Sequence, residues 1–177
     1  AYEHDPLGQP LAIIGPDGSR TEIDYDRRGL PTGIADGTGA ASTMIYDAAG
    51  ALVGAADAEG RQVEVELDGA GFEQAVTLPG LGTTEFTYTS TGLRETVTDP
   101  AGRTTRYGYD DAGRLVSEIR PDGTVVRTRY DAAGQVVAEI DARGGETTYT
   151  HDGAGRVTSR TNPAGEVWQF TYDAVGN

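Results

Sequence analysis

The sequence predicts an all-β fold of tandem β-hairpins, one per 21-residue copy, joined edge to edge into one long antiparallel, curled sheet. Three observations predict it. Glycines recur at a step of 21, each copy carries two turn signals, and residues between the turns alternate with a period of two.

Gly8, Gly29, Gly50, Gly71, Gly92, Gly113, Gly134, Gly155 and Gly176 follow one another without an insertion or deletion. Four residues before them stand His4, Tyr25, Tyr46, Leu67, Tyr88, Tyr109, Tyr130, His151 and Tyr172. Next comes Asp5, Asp26, Asp47, Asp68, Thr89, Asp110, Asp131, Asp152 or Asp173. Residues 1–177 therefore read as about eight copies starting near 4, 25, 46, 67, 88, 109, 130 and 151, with a partial copy from 172. Tyr-Asp-x-x-Gly fits a type I turn closed by a left-handed Gly, its Asp accepting from the amides ahead of it. A second glycine recurs ten residues later, at Gly18, Gly39, Gly60, Gly102, Gly123, Gly144 and Gly165. Only Leu81 breaks that series, between Gly80 and Gly82. Here Pro fixes φ and Gly closes the turn, as in Asp99-Pro100-Ala101-Gly102.

Between the turns, Val63, Val65 and Leu67 alternate with Gln62, Glu64 and Glu66. Thr147, Tyr149 and His151, and Trp168, Phe170 and Tyr172, do the same, which marks half-buried strands with an aromatic or aliphatic inner face. The second strand of each copy is clearest in Leu115-Ser117-Ile119 and Val136-Ala138-Ile140. In other copies its apolar residues fall one position earlier, at Leu30 and Ile34, Phe72 and Val76, and Leu93 and Val97. Either a bulge restores the phase or both faces are partly buried. Two strands per copy give roughly 17 strands, and open sheets beyond ~10 strands curl, so this one should curl without closing on itself.

Composition narrows the function. The 177 residues carry 28 acidic and 14 basic side chains, for a net charge of −14, and every basic residue is Arg. With no clustered cationic face, a nucleic-acid partner is not expected. The absence of Cys excludes disulfides and Cys-ligated metals. The longest apolar run, Leu11-Ala12-Ile13-Ile14, is far short of a membrane span. The only Met is Met44 and no signal-like segment opens the chain, so Ala1 reads as a cut within a larger protein. Leu, Ile, Val and Phe make up under a fifth of the residues, as in disordered chains, but regular repetition argues for order.

Tyr109-Asp110-Asp111-Ala112-Gly113-Arg114-Leu115 and Tyr130-Asp131-Ala132-Ala133-Gly134-Gln135-Val136 resemble the YD repeat of Rhs proteins. Toxin-complex C components, bacterial wall-associated proteins and teneurins carry the same repeat. Asp99-Pro100-Ala101-Gly102-Arg103-Thr104-Thr105 is similar to its second half, and the resemblance spans the whole chain. It implies a spiral β-shell, secreted or at the cell surface, enclosing or presenting a C-terminal toxin or effector domain, with flanking repeats as further partners. The Lys-free, Arg- and Ala-rich usage suggests a bacterium with a GC-rich genome.

Candidate reactive residues dissolve into the repeat. His4-Asp5 and His151-Asp152 could be acid–base pairs, but both histidines occupy the tyrosine slot. A glycosidase needs two carboxylates in separated environments, whereas the aspartates share one turn position and should line a negative rim. Weak calcium binding there is less expected than a solvated edge. His4-Asp5-Pro6-Leu7-Gly8 is similar to the self-cleavage motif that closes Rhs cores, but Gly8 keeps the repeat register, so it reads as an ordinary turn. No catalytic, cofactor-binding or metal-binding residue is assigned, and no cofactor is expected. The aromatic ladder, including Tyr149 and Trp168, supports an alternative as a carbohydrate- or receptor-binding module of a surface adhesin, with cell-surface glycans as partners.

Overall fold

The computed structural model describes residues 1–173 and 176, so the partial copy from Tyr172 has Ala174, Val175 and Asn177 outside the described residues. The chain divides into two compact units, Ala1–Phe86 and Thr87–Asn177. Among the described residues there are 17 strands and no helix. The first unit contains β1 (Tyr2–His4), β2 (Pro10–Ile14), β3 (Arg20–Tyr25), β4 (Pro31–Ala35), β5 (Ala41–Tyr46), β6 (Leu52–Ala56), β7 (Gln62–Leu67), β8 (Glu73–Leu78) and most of β9 (Gly82–Tyr88), whose last two residues belong to the second unit. The second contains β10 (Arg94–Thr98), β11 (Thr104–Tyr109), β12 (Leu115–Ile119), β13 (Val125–Tyr130), β14 (Val136–Ile140), β15 (Glu146–His151), β16 (Val157–Thr161) and β17 (Val167–Gln169). Within each unit, every strand pairs antiparallel with the next in sequence.

The turns follow from the aspartates and glycines. In the first turn type, Asp26 N–H donates to the Leu30 carbonyl at 2.9 Å, and Gly29 N–H to the Asp26 carbonyl at 3.0 Å. Asp26 Oδ1 accepts from the amides of Arg28 and Leu30. The second turn type repeats this geometry at Asp36, whose Oδ1 takes the amides of Thr38 and Ala40. Asn162 does the same with an amide oxygen, and Thr89 with a hydroxyl. Gly29 and Gly39 have φ of 82° and 86°, where a Cβ is disfavoured. The turn at Leu81 uses two left-handed glycines, Gly80 and Gly82, around a Leu81 N–H to Leu78 carbonyl bond.

A bulge sits in the second strand of seven first-type hairpins. In β3–β4, Asp24 faces Gly33 but Tyr25 faces Pro31, leaving Thr32 unopposed. The shift recurs at His4, Tyr46, Leu67, Tyr109, Tyr130 and His151. It settles the phase problem: Ile34 pairs with Ile23, and Val76 with Val65, so both share the tyrosine face. It also corrects the reading of Leu115-Ser117-Ile119 and Val136-Ala138-Ile140 as one face each. Leu115 pairs with Tyr109, but Ser117 pairs with Gly108 and Ile119 with Arg106, on the opposite face; Val136 and Ala138 part in the same way.

Four residues after each first glycine, every copy has a small residue: Ala12, Gly33, Gly54, Ala75, Thr96, Ser117, Ala138 and Ser159. The buried residues, Ala12, Gly54, Ala75 and Ala138, all belong to this column. Glu3 and Glu22 flank Ala12, and Glu66 and Glu85 flank Ala75, long side chains on either side of a position with almost none of its own. No large side chain is fully buried among the described residues. The accessible surface is 11584 Å², where a compact monomer of this mass exposes roughly 8,200 Å². Stability therefore rests on strand-to-strand contact. The expected inner-face aromatics are less covered than the alternation implied: β17 stops at Gln169, and Trp168 and Phe170 are 42% and 43% exposed.

The two glycine columns differ in surroundings. A Cβ on Gly39 meets nothing within 4 Å, whereas one on Gly29 lies 2.8 Å from Gln9 Nε2. Gly39→Ala should cost about 1–2 kcal/mol for its left-handed backbone. Gly29→Ala should cost about 1 kcal/mol more, because the Gln9 bond to the Gly29 carbonyl must break. Urea denaturation of the two variants checks the order.

Candidate functional site

The recurring side chains converge on the joint between one hairpin and the next. Between copies the backbone ladder is short: β12 and β13 pair only from Ser117–Arg127 to Ile119–Val125, leaving the Leu115 carbonyl outside it. Tyr130 Oη donates to that carbonyl at 3.1 Å. Tyr25 bonds the Pro10 carbonyl at 3.0 Å, Tyr109 that of Arg94 at 2.8 Å, and Tyr172 that of Val157 at 2.8 Å. Each bond reaches back 15 residues. The tyrosine thus replaces a missing rung where two hairpins splay apart, while its ring lies on the sheet.

The residue after the first glycine completes the joint. Arg114 Nε donates to Asp110 Oδ2 at 2.7 Å, its Nη1 donates to the Asp131 carbonyl at 3.0 Å, and its guanidinium lies 4.7 Å from the Tyr130 ring centroid. Arg156 is held by Asp152 and stacks on Tyr172 at 4.6 Å. At that position Gln9 reaches the Gly29 carbonyl, while Arg28, one residue before its glycine, bridges Asp26 to the Asp47 carbonyl. Leu30 and Leu93 instead touch Gly50 and Gly113, with 3.5 Å to a built Cβ. The first glycine thus answers to a positive φ in each of these copies, and at Gly29 and Gly155 also to a close side chain of the preceding copy, Gln9 at 2.8 Å and Gln135 at 3.1 Å from a built Cβ. The sequence pattern revealed the Tyr and Gly columns but not that this variable position joins them.

The sequence-selected reactive residues fall as follows. His4 lies 6.0 Å from the Tyr2 ring, and His151 opposes Val157 in the strand ladder. Asp5 and Asp152 accept turn amides, as Asp26 does, so neither orients its neighbouring histidine through Oδ1. Asp5-Pro6-Leu7-Gly8 has the ordinary turn bonds. No group of three His, Asp or Glu side chains that could hold a metal gathers among the described residues. Turn carboxylates are held below their usual pKa: by the Thr38 hydroxyl at Asp36, and by guanidinium bonds from Arg61, Arg103, Arg114 and Arg156 at Asp57, Asp99, Asp110 and Asp152. Tyr149 donates to Glu139 Oε2 at 2.7 Å, which raises its pKa. Arg160 lies 5.3 Å from the Trp168 ring centroid. Depressions on the sheet are open and shallow, such as one of about 520 Å³ lined by Arg120, Thr128, Glu139 and Arg143.

Fold and joint define a tandem β-hairpin repeat protein whose functional unit is the repeat. The Rhs repeat family model matches residues 25–62, 88–125, 130–167 and 154–177, and the chain belongs to that family, as a structural repeat segment. No curated protein matches the sequence. Among solved structures, the TcdB2-TccC3-TEV crystal structure aligns over 100% of this chain at 20% identity with a TM-score of 0.75. TcdB2-TccC3 without its hypervariable C-terminal region aligns over 98% at 16% identity, TM-score 0.59. The Tc holotoxin pore of Photorhabdus luminescens aligns over 99% at 21% identity, TM-score 0.54. At these identities the likeness is one of fold. The chain spans only 11%, 14% and 12% of those proteins. No helix among the described residues is long and apolar enough to cross a membrane.

Two outcomes are expected. Tyr130→Phe should lose about 1 kcal/mol, seen as a fall in Tm of roughly 2–4 °C. Tyr46→Phe should change little, because the Tyr46 hydroxyl has no such partner among the described residues. The second concerns pH. Asp57, Asp99, Asp110 and Asp152 have folded-state pKa values below their unfolded ones, so the unfolded chain takes up protons first as pH falls. Their contribution is fully present above about pH 4 and is lost progressively below it. The urea midpoint measured from about pH 6 to about pH 2 should fall in that window. Asp110→Asn should retain the turn while shrinking the fall, since Asn162 already serves as such a cap.

Proposed function

We propose that residues 1–177 are one stretch of repeats from a longer secreted or surface-delivered protein. In this reading they form part of a non-enzymatic β-shell wall around a C-terminal toxin or effector domain, which they enclose or present. Flanking repeats continue the wall at either end. The observation that carries the reading is the lack of a core: the buried residues among those described have one carbon of side chain or none, and both sheet faces stay open. A sheet of this kind suits a container better than a catalyst. Support comes also from the joints, which engage the hydroxyls of Tyr25, Tyr109, Tyr130 and Tyr172 and tie Arg114 and Arg156 to their turn aspartates.

A glycan-binding role draws on Trp168 and Phe170, which stay exposed while the hydroxyls of Tyr25, Tyr109, Tyr130 and Tyr172 are occupied by backbone carbonyls. It becomes the preferred reading if the wall protects nothing and surface glycans bind through Trp168.

Limited proteolysis of the full-length protein tests the wall. With the repeats intact, the C-terminal domain should resist protease. Deleting whole copies from residues 25–129 should expose it, and equal protection after deletion would remove the enclosing role.

A further inference from the structure

The face opposite the tyrosines changes sign between the two units. Ala1–Phe86 holds fifteen acidic residues and four Arg, whereas Thr87–Asn177 holds thirteen and ten. One column carries much of the change. Steps of 21 lead from Glu64 to Glu85, Arg106 and Arg127.

The first copy shows what two glutamates on this face hold. Glu3 and Glu22 flank Ala12 on neighbouring strands. Arg20 bridges them, donating from Nη1 and Nη2 to Glu3 at 2.9 and 2.8 Å and from Nε to Glu22 at 2.9 Å. Ala12 beneath is 0% exposed. Three copies later, Glu66 and Glu85 flank Ala75 in the same way. Thr83 now stands where Arg20 stood and bonds Thr77 instead. Neither glutamate, nor Glu64 beside them, has an ion pair or hydrogen bond among the described residues. The site keeps its carboxylates and lacks its guanidinium.

The second unit offers the complement. Arg127 opposes Ser117, and Arg106 opposes Ile119, on the same face. Neither has a partner among the described residues, whereas Arg129 is paired with Glu146. Because all four positions belong to one column, Glu64–Glu85 and Arg106–Arg127 have the same spacing. Each pair is two strands across and two residues along, about 12 Å.

We propose that the Glu64, Glu66 and Glu85 face of the first unit receives the Arg106 and Arg127 guanidinium groups of a second copy of this chain. One guanidinium would take, over Ala75 between Glu66 and Glu85, the place that Arg20 fills over Ala12, and the other would meet Glu64. Net charges of −14 on both copies oppose the approach, but at about 0.15 M salt the Debye length is about 8 Å, so contact pairs outlast the long-range repulsion.

Analytical ultracentrifugation at about 0.15 M salt tests this with two charge-reversed variants. Wild type should self-associate. Arg106→Glu with Arg127→Glu, and separately Glu64→Arg with Glu85→Arg, should each self-associate at least about tenfold more weakly, and an equimolar mixture of the two should pair. The second variant is less negative than wild type, so general repulsion alone would make it associate more, which would overturn the proposal. A monomeric wild type, or association undiminished in both variants (as edge pairing through β1 and β17 would give), would overturn it too. Circular dichroism and the urea midpoint check folding. If the arginine reversal unfolds the chain, Arg106→Gln with Arg127→Gln should show the same loss.

Discussion

A sheet with no second layer has no interior in which to hide apolar surface, and every other feature of these units follows from that constraint. What remains for cohesion is lateral contact, where each hairpin is held by its neighbours. Within a hairpin the ladder and an Asp-capped turn suffice. Between hairpins the ladder is only three pairs long, as in β2–β3 and β12–β13, and the strands part near the first turn. The Tyr hydroxyl on a carbonyl, the guanidinium stacked on its ring and the glycine under the neighbouring side chain all act at that opening. The small-residue column solves the opposite problem: with Ala12 between Glu3 and Glu22, or Ala75 between Glu66 and Glu85, the small residue is covered by its neighbours.

Much of this was legible in the amino-acid order. Strand number, turn positions and the family resemblance follow from Gly8 to Gly176 and from the Tyr-Asp pairs, because left-handed backbone and Asp-capped turns admit few residues. The second strand was less legible. A bulge changes which residues share a face without leaving a distinctive residue at the bulge itself. Pro10, Leu52, Glu73 and Val157 all stand opposite the tyrosine slot. Alternation across Leu115, Ser117 and Ile119 therefore pointed to one face where there are two. The joint was hidden for another reason. Its third member varies among Gln9, Leu30, Leu93 and Arg114, which share a position and a task but no chemistry. The small column was present in the sequence as Ala, Gly, Ser and Thr, residues whose turn propensity masked their packing role.

The same constraint bears on function. A fold that spends tyrosine hydroxyls, turn aspartates and arginines such as Arg114 and Arg156 on holding itself together leaves two broad faces for contact. The tyrosine face is apolar through Ile13, Ile34 and Val76 and acquires Glu118, Glu139 and Arg160 at the matching places in the second unit. The other face moves from glutamate to arginine along one column. Repeats built to one plan can thus differ in what they touch while preserving how they join.

A deletion series that removes whole 21-residue copies from the first residue onward most directly tests whether neighbour contact alone holds the chain together. Urea unfolding of the series should show stability and m-value falling by a similar step for each copy removed. Retained stability through several deletions, followed by abrupt collapse at one of them, would reveal a shared core and contradict the account.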